Sequence, residues 1–227
     1  MNIQGYQKLT LLDFPGKMAC TVFTGGCNLR CPFCHNASLV NSPCEYTNSE
    51  QEVLDYLQKR QGILNGVCIT GGEPLLQPDL EEYIKKIKAL GYSVKLDTNG
   101  YSPDRLEKLL NTGLIDYVAM DIKASKANYS QATGIDIDIE KIEKSVELLK
   151  NGNVPFEFRT TVVKGIHSVN EFQDLAEWIK GTKKYYLQVF KDSGDILSGG
   201  CDGFSNAEME EILNLVKVII PEAEIRG

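Results

Sequence analysis

Short apolar runs that alternate with longer amphipathic stretches are the feature that most constrains the fold of this chain. Six runs are typical of buried strands, and each is followed by apolar residues at helical spacing. Regular alternation of this kind predicts a parallel sheet. The predicted strands are 18–24, 67–70, 92–97, 117–122, 155–163 and 184–190. The predicted helices are 49–60, 78–90, 103–111, 139–150, 169–180 and 206–220, with Thr47 to Ser49 as capping candidates for the first.

The number of these units limits the architecture. Six β-α units are too few for a closed eight-unit barrel, which leaves an open, partial barrel or a doubly wound sheet. Periodicity alone does not separate the two. Both place the functional site at the carboxyl ends of the strands. Because no linker or low-complexity stretch interrupts the 227 residues, we expect one domain, 1–227.

The composition excludes several classes of function. The net charge of -7 gives no reason to expect a nucleic acid or an anionic membrane as partner. No apolar run is long enough to span a bilayer, and the start of the chain, Met1 to Leu12, lacks the pattern of a signal peptide. We therefore expect a cytoplasmic protein. In that reducing compartment seven cysteines indicate metal binding or catalysis rather than disulfides.

Three of the cysteines form a compact group directly after the first predicted strand. Cys27, Cys31 and Cys34 lie in the sequence GGCNLRCPFCHN. A short loop can bring three thiolates to one iron–sulfur cluster, and three protein ligands leave one iron open to an outside ligand. The alternative is a zinc site with His35 as fourth ligand. The adjacency of His35 to Cys34 disfavours zinc, because neighbouring residues rarely converge on one tetrahedral ion.

The other cysteines are predicted to have no ligand role. Cys20 and Cys68 lie in apolar runs and are expected to pack as small apolar side chains. Cys44 and Cys201 lie in polar loops without a partner at ligand spacing. The loop after the fifth strand contains His167, which we expect on the surface rather than at a metal.

Polar residues also follow the later strands. The second strand leads into Gly71, Gly72 and Glu73, where the glycines allow close backbone approach and the carboxylate can accept from an ammonium group. Asp97 ends the third strand, Asp121 and Lys123 lie at the end of the fourth, and the fifth carries Arg159. Because strand ends of this kind meet at one rim, we expect these side chains to form one site.

The spacing Cys-x3-Cys-x2-Cys, with Phe33 before the last cysteine, resembles the signature of the radical S-adenosylmethionine (SAM) superfamily. The resemblance implies a partial (β/α)6 TIM-like barrel and a [4Fe–4S] cluster on Cys27, Cys31 and Cys34. It also implies that SAM chelates the open iron and is cleaved reductively to a 5′-deoxyadenosyl radical. Phe33 would lie near the adenine of SAM.

Further motifs resemble the activating enzymes of glycyl radical enzymes. These are His35-Asn36 after the third cysteine, Asp97-Thr98-Asn99-Gly100, and Asp121-x-Lys123. The cofactor-binding residues that this resemblance implies are Phe33, Asn36, Gly71, Gly72, Glu73, Asp97, Asp121, Lys123 and Arg159. Among these, Glu73 would meet the amino group of SAM, Lys123 and Arg159 would contact SAM, and the two aspartates would help to hold a monovalent cation near the SAM carboxylate.

The start of the chain runs from Asn2-Ile3-Gln4-Gly5 through Phe14-Pro15-Gly16 to the Cys-His-Asn of the cysteine group. It resembles activating proteins of anaerobic ribonucleoside-triphosphate reductase, which implies a glycyl radical enzyme as protein partner. Only Cys44 lies between Asn36 and Cys68, so the chain lacks the ferredoxin-like insert of many activating enzymes, and flavodoxin or ferredoxin would supply the electron. One alternative is a small-molecule radical SAM enzyme, such as a 7-carboxy-7-deazaguanine synthase relative, although its third cysteine is usually followed by Asp. The other is a non-catalytic metal-binding module, which leaves the charged strand ends unexplained.

Overall fold

The computed structural model describes residues 1–40, 48–192 and 194–227. In that part of the chain nine strands form the sheet structure. They are β1 (Ile3–Thr10), β2 (Ala19–Thr24), β3 (Gly66–Gly71), β4 (Ser93–Thr98), β5 (Tyr117–Asp121), β6 (Phe156–Lys164), β7 (Tyr185–Val189), β8 (Asp202–Gly203) and β9 (Glu224–Arg226). The main order is β1-β2-β3-β4-β5-β6-β7-β9, and β8 pairs with β6.

The strand order decides between the two architectures that the sequence left open. Strands β2 to β7 are the six predicted strands, and they lie parallel and side by side in chain order. A doubly wound sheet reverses its order at a switch point, whereas a barrel sheet does not. The predicted partial (β/α)6 barrel is therefore confirmed. Strand β1 extends it antiparallel to β2, and β9 extends it parallel to β7.

Helices follow each of the six parallel strands. The helices are α1 (Ala37–Val40), α2 (Glu50–Lys59), α3 (Leu80–Ala89), α4 (Pro103–Asn111), α5 (Tyr129–Thr133), α6 (Ile139–Asn151), α7 (Glu171–Trp178) and α8 (Asn206–Lys217). All six predicted helices are present, while α1 and α5 are too short to show a period in the sequence. Within the described ranges, none of the helices has both the length and the apolar character that crossing a membrane requires.

Local signals explain where these helices begin and end. The side chain of Ser49 accepts a hydrogen bond of 3.1 Å from the backbone N–H of Glu52 and so caps α2. Thr47, the other end of the predicted capping range, lies outside the described residues, as does Cys44. Helix α4 begins at Pro103 and ends before Gly113, whose φ of 69° favours glycine.

The two faces of the sheet differ in polarity. Successive side chains along a strand point to opposite faces, so one face carries Leu96 and Val118, which pack in the main core with the helices. The other face carries Lys95 and Glu157, both about 1% exposed. The inner face of the partial barrel is thus lined by buried polar groups, which must be paired within the protein.

An aromatic side chain fills the amino end of this inner face. Phe14 is 2% exposed and its ring lies 6.2 Å from that of Tyr117. A Cβ atom at Gly66 would lie 2.8 Å from the Phe14 ring, so the first residue of β3 must be small. With the amino end filled, the carboxyl ends of the strands are left for a ligand.

Candidate active site

A cavity of about 250 Å³ lies at the carboxyl ends of the parallel strands. Eleven of the twelve residues predicted from the sequence line it. They are Cys27, Cys31, Phe33, Cys34, Asn36, Gly71, Gly72, Asp97, Asp121, Lys123 and Arg159. The structure therefore brings the cysteine loop, residues 25–36, and the charged strand ends to one place, as the strand-end argument predicts.

The cysteine loop is fixed by backbone hydrogen bonds to distant parts of the chain. The N–H of Gly26 donates to the carbonyl of Leu39 at 2.8 Å. The N–H of Arg30 donates to the carbonyl of Thr133, also at 2.8 Å. These bonds hold the loop over the ends of the strands.

The three thiols surround the cavity without forming a common centre. Cys31 is 6% exposed, and burial raises the pKa of its thiol to about 12 against the opposing effect of Lys123. Burial also raises the pKa of Cys27. Among residues 1–40, 48–192 and 194–227, no three His, Cys, Asp or Glu side chains are arranged as a metal site. The three cysteines and His35 of the zinc alternative are likewise not arranged as a metal site in this part of the chain. The ring of His35 packs edge-on against that of Phe190, with 5.2 Å between the ring centres.

The Gly-Gly pair fits tightly against the start of the cysteine loop. A Cβ at Gly72 would lie 2.0 Å from the carbonyl oxygen of Gly26, and a Cβ at Gly71 would lie 2.4 Å from the backbone nitrogen of Thr24. Gly71 also has a φ of 112°. Both positions therefore require glycine, since a side chain at Gly72 would push the cysteine loop away from β3 and one at Gly71 would clash with the end of β2.

Glu73 lies behind the cavity wall rather than in it. Its side chain is 1% exposed. The carboxylate accepts hydrogen bonds from the backbone N–H of Asn99 at 2.7 Å, the hydroxyl of Thr98 at 2.8 Å and the N–H of Leu75 at 3.0 Å. Burial raises the pKa of Glu73 to about 7, although these three donors oppose the shift. The carboxylate thus holds wall residues in position.

Five charged side chains on or next to three neighbouring strands form a group that we call the strand-end network. Its members are Lys95, Asp97, Asp121, Lys123 and Arg159. Arg159 joins the two aspartates, with Nη1 3.2 Å from Asp97 Oδ2 and Nε 2.9 Å from Asp121 Oδ1. Lys123 Nζ donates to Asp121 Oδ2 at 2.9 Å. Lys95 donates to Asp97 from below. The network assembles because β4, β5 and β6 are adjacent and parallel.

The network keeps Asp121 and Lys123 charged. Burial alone raises the pKa of Asp121, but the positive charges of Arg159 and Lys123 outweigh this effect and hold the pKa well below its usual range. Burial alone lowers the pKa of Lys123, yet Asp121 raises it well above its usual value. The cavity wall therefore presents fixed positive charge over the neutral pH range.

His167 corrects an expectation from the sequence. It is 6% exposed, so the prediction of a surface residue is wrong. Its Nδ1 accepts from the N–H of Val163 at 3.0 Å, so Nε2 carries the proton and donates to the carbonyl of Lys123 at 2.8 Å. Its ring centre lies 6.2 Å from that of Phe33, which is 3% exposed. The histidine joins two strand ends and supports the wall.

Sequence reasoning missed several residues of the wall. Asn28, although not a lining residue, accepts a 2.8 Å hydrogen bond from the side-chain amide of Asn99, which does line the cavity. Thr161 also lines it, from β6. The alternation of faces could have found Thr161, because it lies two residues after Arg159 on the same face of β6. Gln188, which the sixth predicted strand carries, lines the cavity as well.

A family model described as the radical SAM superfamily matches residues 21–179, more than half of the chain. The chain belongs to the radical SAM superfamily. The matched range contains the cysteine loop and the whole strand-end network. Radical SAM enzymes are oxidoreductases that use a [4Fe–4S] cluster and SAM, so these are the cofactors of this protein.

Relatives and solved structures agree with this membership. A Methanocaldococcus jannaschii protein, whose name proposes it as a glycyl-radical enzyme activating enzyme, is 32% identical over 99% of this chain and 95% of its own length. The pyruvate formate-lyase-activating enzyme of Clostridium pasteurianum is 34% identical over 54% of this chain and 52% of its own length. Streptococcus suis SuiB bound to precursor peptide SuiA has a TM-score of 0.74 at 14% identity, covering 91% of this radical SAM chain and 48% of SuiB. That likeness shows the fold alone.

The donor set of the cavity fits both cofactors. Three thiols on one loop are the ligand type that iron–sulfur clusters require. The positive side chains of Lys123 and Arg159 suit a carboxylate, and the buried ring of Phe33 suits an apolar heterocycle.

Proposed function

We propose that this radical SAM enzyme cleaves SAM reductively and generates a glycyl radical on a partner enzyme, anaerobic ribonucleoside-triphosphate reductase. The observation that carries the proposal is the cavity in which the cysteine loop and the strand-end network meet. The likeness to a protein named as a glycyl-radical enzyme activating enzyme, which extends over 99% of the chain, supports the activating role. The choice of reductase rests on the resemblance of the first residues of the chain.

In this proposal Cys27, Cys31 and Cys34 hold the cluster and leave one iron for SAM. When bound, the cluster would supply the electron for reductive cleavage of the C5′–S bond of SAM, to methionine and a 5′-deoxyadenosyl radical. The chain's own residues orient the reactants and exclude water and other hydrogen donors, so none of them needs to act as a general acid or base.

The strand-end residues are proposed to bind SAM. Lys123 and Arg159 face its carboxylate, and Phe33 lies beside its adenine. The backbone at Gly71 and Gly72 permits close approach to its amino group. Asn36 completes the wall next to the cysteines.

Two of the predicted contacts are refined by their surroundings. Because Glu73 lies behind the wall, we propose that it acts on the amino group of SAM through Thr98 and Asn99, which it holds in place. Asp97 and Asp121 are already paired with side-chain cations. Their role as ligands of a monovalent cation stays a prediction, to which the pairing of Asp97 with Lys95 offers an alternative.

The wider context is part of the proposal. We propose that residues 1–227 act as one radical SAM core domain in the cytoplasm, and that flavodoxin or ferredoxin supplies the electron. The hydrogen atom abstracted by the 5′-deoxyadenosyl radical comes from the glycine Cα of the partner, which yields 5′-deoxyadenosine and leaves the radical on the partner.

The decisive experiment is anaerobic reconstitution with iron and sulfide, reduction, addition of SAM and assay of 5′-deoxyadenosine. Cys31→Ala should bind no cluster and form no product. Cys20→Ala is the matched control, because Cys20 is a buried thiol outside the cysteine loop. Electron paramagnetic resonance of mixtures with the candidate reductase should then show a glycyl doublet.

Each negative outcome has a distinct meaning. Binding of zinc without acid-labile sulfide would support the metal-binding module and overturn the proposal. Formation of 5′-deoxyadenosine without a glycyl doublet, together with turnover of a small molecule, would favour the small-molecule radical SAM alternative.

A further inference from the structure

Lys95 is a buried cation directly beneath the cavity. It lies on β4 with 1% of its surface exposed and does not line the cavity itself. Its ammonium group donates to Asp97 and lies 3.9 Å from the sulfur of Cys68, which is also fully buried. Lysine is almost never fully buried unless it is paired, so the position of this charge calls for a partner.

The partner is a wall residue that needs the charge. Asp97 has a side chain only 12% exposed, and its other cation contact is the 3.2 Å approach of Arg159. Arg159 is shared, because it also bonds Asp121 at 2.9 Å. Without Lys95, a single guanidinium would serve two largely buried carboxylates, helped only by Lys123 on the far side of Asp121.

A charge count shows what Lys95 adds when a ligand binds. The strand-end network contains two carboxylates and three cations. A ligand carboxylate placed beside Lys123 and Arg159 adds a third negative charge to this group, so that carboxylates and side-chain cations are equal in number. If Lys95 were neutral, three carboxylates would share two side-chain cations at low exposure, where a poorly paired charge is unfavourable.

We propose that Lys95 is a built-in cation that holds Asp97 in the cavity wall and makes SAM binding independent of any added monovalent cation. The ammonium group takes the place that a bound sodium or potassium ion would otherwise occupy at Asp97. The inference rests on the proposed function insofar as SAM is the ligand. Lys95 is a positioning residue, since it acts on the ligand through Asp97.

The test removes the charge and offers a substitute. In Lys95→Met the side chain ends one atom short, which leaves about the volume of the ammonium group free. SAM binding to the reconstituted protein is measured by calorimetry in potassium, sodium or tetramethylammonium chloride at equal ionic strength, so that screening is constant. Lys88→Met is the matched control, because Lys88 pairs with Asp116 at 2.7 Å on the outer side of the sheet.

The expected result is specific to small cations. Wild type and Lys88→Met should bind SAM equally in all three salts, within about twofold. Lys95→Met should bind about tenfold more weakly in tetramethylammonium than in potassium or sodium, a difference of ~1.4 kcal/mol. A second measurement needs no cofactor: potassium or sodium should raise the thermal midpoint of the cluster-free Lys95→Met protein, through binding to the folded state, and leave that of wild type unchanged.

Several results would overturn the inference. One is a wild-type protein whose SAM affinity depends on potassium or sodium. Another is a folded Lys95→Met protein, judged by near-ultraviolet circular dichroism, whose affinity and thermal midpoint are the same in all three salts. If Lys95→Met does not fold, Lys95→Gln is used instead. If neither variant folds, the SAM affinity of the wild-type protein in the three salts decides. Absence of SAM binding by wild type would contradict the proposed function instead, and the thermal measurement would still test Lys95.

Discussion

The two sides of the cavity are built in different ways. The strand-end network is held together by the protein's own side chains, because Arg159 joins carboxylates from two neighbouring strands through bonds of 2.9 and 3.2 Å. The cysteine loop is fixed through its backbone, while its thiols lie around the cavity without forming a metal site within the described residues. Side-chain pairing thus orders one side, and backbone hydrogen bonds order the other.

The difference suggests a division of labour between folding and cofactor assembly. Buried charges must be paired for the chain to fold, so removal of one member of the strand-end network leaves others unpaired and destabilises the cofactor-free protein. The thiols need only be within reach of the cluster that they bind. Substitutions in the network should therefore destabilise the cluster-free protein, and substitutions of the cysteines should not.

Arg159→Met should have the largest effect on the stability of the cluster-free protein. The substitution leaves Asp97 and Asp121 without their shared cation, and loss of one partner from a buried ion pair costs about 3–5 kcal/mol. Urea denaturation of the cluster-free protein measures the change. The exposed Arg60, replaced by Met, serves as control, and an equal loss in both variants would contradict a special role for the network.

Glu73 should make stability depend on pH. Since burial raises its pKa from 4.5 to about 7, the folded protein holds this proton more tightly than the unfolded chain. The resulting stabilisation is fully present below pH 4.5 and is lost as the pH rises toward 7, by about 3 kcal/mol in total. In Glu73→Gln the free energy of unfolding should no longer decline over this pH range. Its altered hydrogen bonds should change that free energy by the same amount at every pH. Urea midpoints of the wild type and the variant across the pH range measure this difference. If the midpoint of the variant declines with pH as steeply as that of the wild type, Glu73 is not the group responsible.

Gly72→Ala tests the junction between the two sides. Its Cβ would lie 2.0 Å from the carbonyl oxygen of Gly26, so β3 and the cysteine loop must separate, at a cost of about 1–3 kcal/mol. Thermal or urea unfolding gives the change. Gly5→Ala is the matched control, because no atom lies within 4 Å of its Cβ position. Similar stability of the two variants would mean that the contact yields without cost.

Cys34→Ser should have the smallest effect on the cluster-free protein. Cys34 is partly exposed and its thiol has no place in the ion-pair network, so the free energy of unfolding should change by less than about 1 kcal/mol. Iron and sulfide content after reconstitution should nevertheless fall to background. A destabilisation as large as that of Arg159→Met would erase the contrast between the two sides.

Much of the site could be predicted from the sequence because its residues lie at recurring positions relative to the strands. The cysteine loop directly follows a strand, Asp97 and Asp121 lie at or near the ends of β4 and β5, and Arg159 lies within β6 beside Asp121. Carboxyl ends of parallel strands meet at one rim, so proximity in space follows from the alternation of strands and helices. The same argument failed for Glu73, because it places a residue near the rim without specifying which way its side chain turns.

The amino-acid sequence by itself determined the six parallel strands, the thiol loop and the set of charges at the rim, since hydrophobic period and residue order are local properties. Only the tertiary structure decided which of those charges are paired and which groups are buried. Lys95 belongs under the cavity because Asp97 lies above it, and His167 is buried because two strand ends meet there. Such outcomes depend on contacts between residues far apart in the chain, which a local pattern does not contain.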